Sequence, residues 1–140
     1  MDILTTIPAY RAWRNALPAD ASVGFVPTMG ALHSGHMQLV AESRKANTQT
    51  VVSIFVNPLQ FGPAEDFSRY PRPFEADSRL CREAEVAAIF APEAPAFYPP
   101  AFSAFCEVAG LDRFLAGASP PGHFPGGFPG CLKLLNILRP

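Results

Sequence analysis

The stretch that most constrains the fold is Pro27–His36, which reads Pro-Thr-Met-Gly-Ala-Leu-His-Ser-Gly-His. An apolar run, Val23–Val26, within a predicted strand Ser22–Val26, precedes this stretch, and an amphipathic run, Met37–Lys45, follows it. This order predicts a strand, a tight loop and a helix, which together form the repeating unit of a parallel sheet. The sequence therefore favours an α/β fold from its first quarter onward.

The start of the predicted helix indicates an anion site. Ser34 is a suitable N-cap residue, so we expect the amides of Gly35, His36 and Met37 to be free. Free amides and the positive end of the helix dipole attract phosphate groups. Gly30 and Gly35 would let the backbone come close to a ligand without an intervening side chain.

Two histidines add chemistry to this helix start. His33 and His36 are three residues apart, so both can face one ligand. Imidazoles in that place can donate hydrogen bonds to phosphate oxygens and stabilise charge that builds up in phosphoryl or nucleotidyl transfer. Alone, the pair is equally consistent with two surface histidines on an ordinary turn. The strand–loop–helix context and the glycines favour a nucleotide site.

Further motifs follow in the same half of the chain. Ser53–Phe61 reads Ser-Ile-Phe-Val-Asn-Pro-Leu-Gln-Phe, and Tyr70–Arg72 reads Tyr-Pro-Arg. Together with Pro27–His36, these motifs resemble the front half of the pantothenate synthetase (pantoate–β-alanine ligase) family, in the HxGH nucleotidyltransferase-like superfamily. The resemblance runs from about residue 1 to Phe124. Three motifs in the family's order are far more specific than His-x-Gly-His alone.

The resemblance implies an ATP- and magnesium-dependent ligase. In that family, pantoate and ATP form pantoyl-adenylate and release pyrophosphate. The amine of β-alanine then attacks the acyl group and gives pantothenate and AMP. Adenylation is needed because a free carboxylate resists amines, whereas AMP is a good leaving group.

The resemblance also assigns residues to that reaction. His33 and His36 would be catalytic and contact the phosphates, with His36 as the proton donor, and Gln60 would hold pantoate and β-alanine. Asp77 lies where some relatives have a magnesium ligand, but a single helix aspartate is more often exposed, so no metal ligand is predicted. The predicted ATP-binding residues are Met29, Gly30, Ala31, Leu32, His33, Ser34, Gly35 and His36.

The remaining pattern predicts a three-layer, Rossmann-like nucleotidyltransferase fold with a short parallel sheet. Thr50–Val56 is rich in β-branched residues, which suits a strand buried on both faces, and Ala87–Phe90 is a third short strand. Ligands of open parallel sheets lie beyond the carboxyl ends of the strands. Topology alone therefore places Gln60 near His33 and His36.

A helix is also predicted before the first of these strands. Thr6 can cap it, and Pro8 falls in its first turn. Tyr10, Trp13 and Leu17 recur at helical spacing and form the face expected to be buried.

The second half of the chain departs from this regularity. Thirteen of the 16 prolines follow Asn57, so we expect many loops there. Pro125–Cys131 contains two prolines and three glycines. We expect it to interrupt a helix, because an interior Gly costs about 1 kcal/mol and an interior Pro about 3. A strand at Ser103–Val108 and a short helix at Leu111–Leu115 are predicted, in a region that contributes to a homodimer in the family.

The printed sequence ends at Pro140, before the family's lysine-bearing phosphate loop, second pantoate-binding glutamine and C-terminal domain. We therefore expect residues 1–140 to be an incomplete N-terminal nucleotide- and pantoate-binding domain, from either a truncated chain or a decayed gene. Both origins predict weak or absent ligase activity. Without a neighbouring domain, Leu132–Leu138 is expected to expose apolar surface.

Two alternative functions remain open at this stage. One is a different HxGH adenylyltransferase acting on a phosphorylated acceptor, against which the Asn57–Phe61 loop argues. The other is a non-catalytic fragment that binds nucleotide or pairs with a normal subunit.

Composition narrows the partners further. The net charge of −1 does not indicate nucleic acid or an anionic membrane as a partner. Cys81, Cys106 and Cys131 form no Cys-x-x-Cys pair, which argues against a zinc site or a disulfide framework. With neither a signal-peptide pattern nor an apolar run of membrane length, we expect a cytoplasmic protein whose partners are small molecules.

Overall fold

The computed structural model describes residues 1–60, 73–100 and 123–140, apart from the side chains of Gln60 and residues 123–128. The elements are, in chain order, β1 (Asp2–Leu4), α1 (Ile7–Asn15), β2 (Val23–Thr28), α2 (Ser34–Ala46), β3 (Gln49–Ile54), a 3₁₀ turn (Pro58–Gln60), α3 (Phe74–Glu83), β4 (Ala88–Phe90), α4 (Ala94–Phe97) and α5 (His123–Leu138). The predicted strand at Ser103–Val108, the predicted helix at Leu111–Leu115, the Tyr70–Arg72 motif and Cys106 lie outside the described residues.

The described strands form one parallel sheet in the order β1-β4-β3-β2. The three predicted strands are confirmed, with ends shifted by one to two residues, whereas the three-residue β1 was not predicted because it is too short to show a period. In the β2–β3 pair, Thr28 lies opposite Ile54. Both strands therefore end at the same edge of the sheet.

Helices cover both faces of the sheet, which confirms the three-layer prediction. Alternation along β3 sends Val51 to one face and Val52 to the other. One core contains buried residues of α1, α4 and α5: Tyr10, Phe97, Leu134, Ile137 and Leu138. The opposite core contains Val40 of α2 and Cys81 of α3.

Helix α1 follows its predicted pattern. The Thr6 hydroxyl accepts a hydrogen bond from the Ala9 amide at 3.2 Å, and Pro8 lies in the first turn. Tyr10 is fully buried, and its phenol donates a hydrogen bond of 2.9 Å to the Leu138 carbonyl. This bond joins the first helix to the end of the last described helix.

The prediction of a helix break at Pro125–Cys131 is wrong, because α5 runs without interruption through these residues. Pro125 is the third helical residue, where an amide has no intrahelical acceptor in any case. A Cβ on Gly130 would lie 2.4 Å from Asn57 Nδ2, so this glycine lets the helix pack closely on the loop after β3. Packing of the helix against the core thus offsets the poor helix propensity of this segment.

The apolar end of α5 is only partly exposed. Leu132 and Leu135 are 43% and 48% exposed, as expected. Leu134, Ile137 and Leu138 are buried in the core instead. Among the described residues, no helix is long and apolar enough to cross a membrane.

We predict that Gly130→Ala lowers the free energy of unfolding by about 1–3 kcal/mol, because the added methyl group overpacks the contact with Asn57. Helix propensity alone predicts the opposite sign, a gain of about 1 kcal/mol. Urea denaturation followed by circular dichroism measures the change. Cys131→Ala, at the next and exposed position, is the control, and a stabilised Gly130→Ala variant would contradict the packing argument.

A second prediction concerns alkaline pH. Burial raises the pKa of Tyr10 to about 12, and the neighbouring Arg14 opposes this rise. In the unfolded chain the phenol ionises near pH 10, whereas the folded state disfavours the ionised phenol. The free energy of unfolding should therefore fall as the pH rises from 10 through about 12. We expect Tyr10→Phe to lower the free energy of unfolding by about 1 kcal/mol at pH 7, because the Leu138 carbonyl loses its hydrogen-bond donor.

The measurement for Tyr10 compares urea denaturation of the two proteins from pH 7 to pH 12. The difference between them should shrink or reverse above pH 10. A constant difference across this range would show that the ionisation of the buried phenol is not coupled to folding.

Candidate functional site

The end of β2 is locked to β3 by Thr28. Its hydroxyl donates to the Ser53 carbonyl at 2.6 Å and accepts from the Gly30 amide at 3.1 Å. The Phe55 amide donates to the Thr28 carbonyl at 3.1 Å. These bonds set the direction in which the chain leaves the sheet towards α2.

The loop that follows contains two consecutive residues with positive φ, Gly30 at 87° and Ala31 at 53°. Glycine adopts this region freely, whereas an alanine there costs roughly 1–2 kcal/mol. A Cβ on Gly30 would also lie 3.1 Å from Asp77 Oδ2. The conformation therefore needs a glycine at residue 30 and a stabilising contact at Ala31.

Asp77 of α3 supplies that contact. Its Oδ2 accepts from the Ala31 amide at 2.9 Å, and its Oδ1 accepts from the Leu32 amide at 2.8 Å. The residue is 2% exposed, so the prediction that it faces solvent is wrong. Successive amides in a left-handed turn form a cradle for an anion, and here a carboxylate of the protein itself occupies it.

The helix start differs from its prediction. His33, not Ser34, is the N-cap residue, and Ser34 is the exposed first residue of α2. The Gly35 amide donates to His33 Nδ1 at 3.2 Å, and the Met37 amide donates to the His33 carbonyl at 3.1 Å. The prediction that these two amides are free is therefore wrong.

The two histidines cap the helix reciprocally. His36 Nδ1 accepts from the His33 amide at 3.4 Å, and the two ring centroids lie 4.1 Å apart. In the neutral form of either ring, an Nδ1 that accepts a hydrogen bond leaves the ring proton on Nε2. The Nε2–H groups are then the ones that can donate to a ligand.

The pKa of His36 depends on its surroundings. Burial lowers the pKa of His36, the neighbouring His33 lowers it further, and Asp77 partly opposes both effects. His36 is therefore a neutral hydrogen-bond donor at pH 7.

A cavity of about 290 Å³ opens at the carboxyl ends of β2 and β3. His36 and Met29 line it, which brings two of the predicted site residues to one space. The other lining residues are Pro27, Thr28, Phe55, Asn57, Gly130, Cys131 and Leu134. A second cavity of about 250 Å³ shares Met29 and Phe55 and is also lined by Asp77 and Glu93.

Several of these lining residues were not predicted. Asn57 is buried, and its Oδ1 accepts from the Leu59 amide at 3.1 Å. The Asn57–Phe61 motif could have indicated Asn57 as a site residue. No sequence pattern indicated that Gly130, Cys131 or Leu134 would line the cavity. Gln60 ends the 3₁₀ turn beyond β3, and its side chain lies outside the described residues.

The described side chains do not by themselves supply a full set of protein ligands for a metal ion. In residues 1–60, 73–100 and 123–140, no cluster of three or more His, Cys, Asp or Glu residues is placed to hold a metal ion. Both oxygens of Asp77 already accept amide hydrogen bonds. The second carboxylate of the smaller cavity, Glu93, is exposed.

Comparison with known proteins identifies the family. A family model described as pantoate-beta-alanine ligase matches residues 2–140. The chain belongs to the pantoate–β-alanine ligase family. This result confirms the family resemblance of the sequence motifs and argues against a different HxGH adenylyltransferase.

Curated relatives of this family member are named pantothenate synthetase. The protein of Thermotoga neapolitana is 51% identical over 141 residues, covering 100% of this chain and 50% of the relative. That of Thermosipho africanus is 49% identical over 127 residues, covering 91% of this chain and 46% of the relative. The chain thus spans about half the length of these relatives.

Solved structures of the family share the fold. The pantothenate synthetase of Thermus thermophilus has a TM-score of 0.90 and 46% identity, and the match covers 100% of this chain and 50% of the other. A pantoate–β-alanine ligase of Francisella tularensis, complexed with beta-gamma ATP and β-alanine, has a TM-score of 0.92 and 38% identity. That match covers 100% of this chain and 54% of the other. These values confirm the predicted fold class.

We predict that His33→Asn raises the pKa of His36, because the substitution removes the imidazole that lowers it. Asparagine is a good N-cap residue, so the cap of α2 should persist. A pH titration of the His36 ring by ¹H–¹⁵N NMR measures the shift. Ser34→Ala, at the exposed next residue, is the control and should leave the titration unchanged; an unshifted His33→Asn variant would contradict the electrostatic coupling.

Proposed function

We propose that residues 1–140 form a nucleotide- and pantoate-binding domain that carries part of the adenylation site of pantoate–β-alanine ligase. The observation that carries this proposal is the pair of reciprocal imidazole caps, which occupies Nδ1 of both rings and leaves Nε2 of the cavity-lining His36 for a ligand. Family membership supports the choice of reaction. ATP as a substrate is supported by the Francisella tularensis relative, which was complexed with beta-gamma ATP.

In the proposed first step, a carboxylate oxygen of pantoate attacks the α-phosphorus of ATP. The bond from that phosphorus to the bridging oxygen breaks, and pyrophosphate leaves with the electron pair. Negative charge increases on the phosphate oxygens as this bond breaks. The Nε2–H of His36, with His33 beside it, would stabilise that charge, and the amino end of α2 adds the positive end of its dipole.

In the proposed second step, the amine of β-alanine attacks the acyl carbon of pantoyl-adenylate. The bond from that carbon to the AMP oxygen breaks, and the amine loses a proton as the amide forms. Gln60 would hold pantoate and β-alanine, since a carboxamide both donates and accepts. Its backbone position, three residues after the cavity-lining Asn57 and beyond the end of β3, supports this assignment.

The loop residues of the proposed ATP site act in different ways. Met29 and His36 line the cavity directly. The amides of Ala31 and Leu32 already donate to Asp77, so these residues would shape the loop and not bind phosphate through their N–H groups. Gly30, Ser34 and Gly35 complete the proposed set by their position in the same turn.

Magnesium, a homodimer and a cytoplasmic location belong to the proposal through the family resemblance. Magnesium would supply neutralisation of phosphate charge. No described residue is assigned to hold it, and the steps above do not depend on a protein-bound ion.

The first test is isothermal titration calorimetry of the full chain with ATP. Saturable binding of one nucleotide per chain is expected. Absence of binding at millimolar ATP would overturn the proposal. Pantoate-dependent exchange of pyrophosphate into ATP then tests the chemical step, and ATP binding without exchange would limit the proposal to nucleotide binding.

We predict that His36→Gln reduces pyrophosphate exchange roughly 100-fold or more, the usual effect of removing one donor from a developing negative charge. Glutamine at this position of a helix still accepts from the N-cap amide, so the α2 cap should be kept. Gln38→Ala, on the same helix, is the matched control. An unchanged exchange rate in a folded His36→Gln protein would remove His36 from the mechanism.

A further inference from the structure

We infer that Asp77 is a positioning residue of this site, whose buried carboxylate holds the Gly30–Leu32 loop in its left-handed conformation and thereby sets His33 and His36 at the start of α2. What the positioned histidines do rests on the proposed function. The loop geometry itself is independent of that function.

The loop needs such a partner because its backbone is strained. Two consecutive residues have positive φ, and one of them, Ala31, carries a side chain. The turn aims the amides of Ala31 and Leu32 at one point in the interior, where each must be hydrogen-bonded. A carboxylate with both oxygens engaged, at 2.9 and 2.8 Å, satisfies both donors.

The contact transmits directly to the imidazoles. Leu32, the second residue held by Asp77, immediately precedes the N-cap residue His33. The His33 amide donates to His36 Nδ1, and His33 Nδ1 accepts from the Gly35 amide. A change in the backbone angles at Leu32 would rotate the His33 amide away from His36. Both the cap and the placement of the Nε2–H groups would then be lost.

Helix α3 also contains a natural comparison. Glu75 and Asp77 both lie in its first turn, where a negative charge favours the helix dipole. Glu75 is exposed, whereas Asp77 is buried under the loop. Neutralising either residue removes the same charge from the same helix end. Only the Asp77 change removes acceptors from the loop.

The test compares Asp77→Asn with Glu75→Gln in the full chain. Asparagine keeps the shape of aspartate but directs an NH₂ group at one of the loop amides, so two donors face each other. We expect hydrogen exchange of the Ala31 and Leu32 amides to accelerate at least tenfold. The pKa of His36 should fall further, because Asp77 no longer raises it. Affinity for ATP in calorimetry should weaken roughly tenfold or more. Glu75→Gln should leave all three readings unchanged.

Each outcome has a distinct meaning. Unchanged hydrogen exchange of the Ala31 and Leu32 amides in a folded Asp77→Asn protein would overturn the positioning role. Equal effects of Asp77→Asn and Glu75→Gln would also overturn it. Failure of the unsubstituted chain to bind ATP would overturn the proposed function. The amide hydrogen exchange and the pKa of His36 would still decide the role of Asp77.

A second variant covers the case in which Asp77→Asn does not fold. Gly30→Ala acts on the same contact from the loop side, because its Cβ would lie 3.1 Å from Asp77 Oδ2 and its φ of 87° disfavours a side chain. Faster hydrogen exchange of the Ala31 and Leu32 amides, together with weaker ATP binding, would support the inference. Unchanged values of both would contradict it.

Discussion

The parallel pairing of β2 with β3 is the constraint on which the rest of the structure depends. Its register sets Thr28 opposite Ile54, so the two loops that carry the family motifs leave the same edge of the sheet. The Thr28 hydroxyl closes this edge by bonding to the Ser53 carbonyl and the Gly30 amide. A slip of one residue would send the Val51 and Val52 side chains to the wrong faces and separate the loops.

Backbone amides of the loop and of the start of α2 are already hydrogen-bonded within the protein. The backbone cradle of the left-handed loop is filled by Asp77, and the first amides of α2 are engaged by the histidine caps. The protein therefore uses its backbone donors to shape the loop, and of the two capping imidazoles His36 also lines the cavity. In general, a hydrogen-bond donor that is already fixed in place needs no reorganisation when negative charge develops beside it.

The last described helix shows how packing overrides local preference. Prolines and glycines in the first half of α5 disfavour a helix, yet Leu134, Ile137 and Leu138 pack into the core and Tyr10 bonds to its final turn. Gly130 has low helix propensity, but because it lacks a Cβ atom the Asn57 side chain can pack closely against the helix. This contact builds part of the cavity wall, which His36 also lines.

The amino-acid sequence by itself determined the α/β class, three of the four described strands, the buried face of α1 and the family, and it predicted a site at the edge beyond β2 and β3, where a cavity opens. These features follow from local periodicity and from contiguous motifs, which need no knowledge of distant contacts. Only the tertiary structure decided that His33 caps α2, that Asp77 is buried under the loop and that α5 is continuous. Each of these depends on groups that are distant in sequence or on particular backbone angles: Asp77 lies 46 residues from Ala31, and Gly130 meets Asn57 only once the sheet and helix are packed. The free energy of those contacts is not visible in residue type or spacing, because it arises when folding brings the partners together and removes their water.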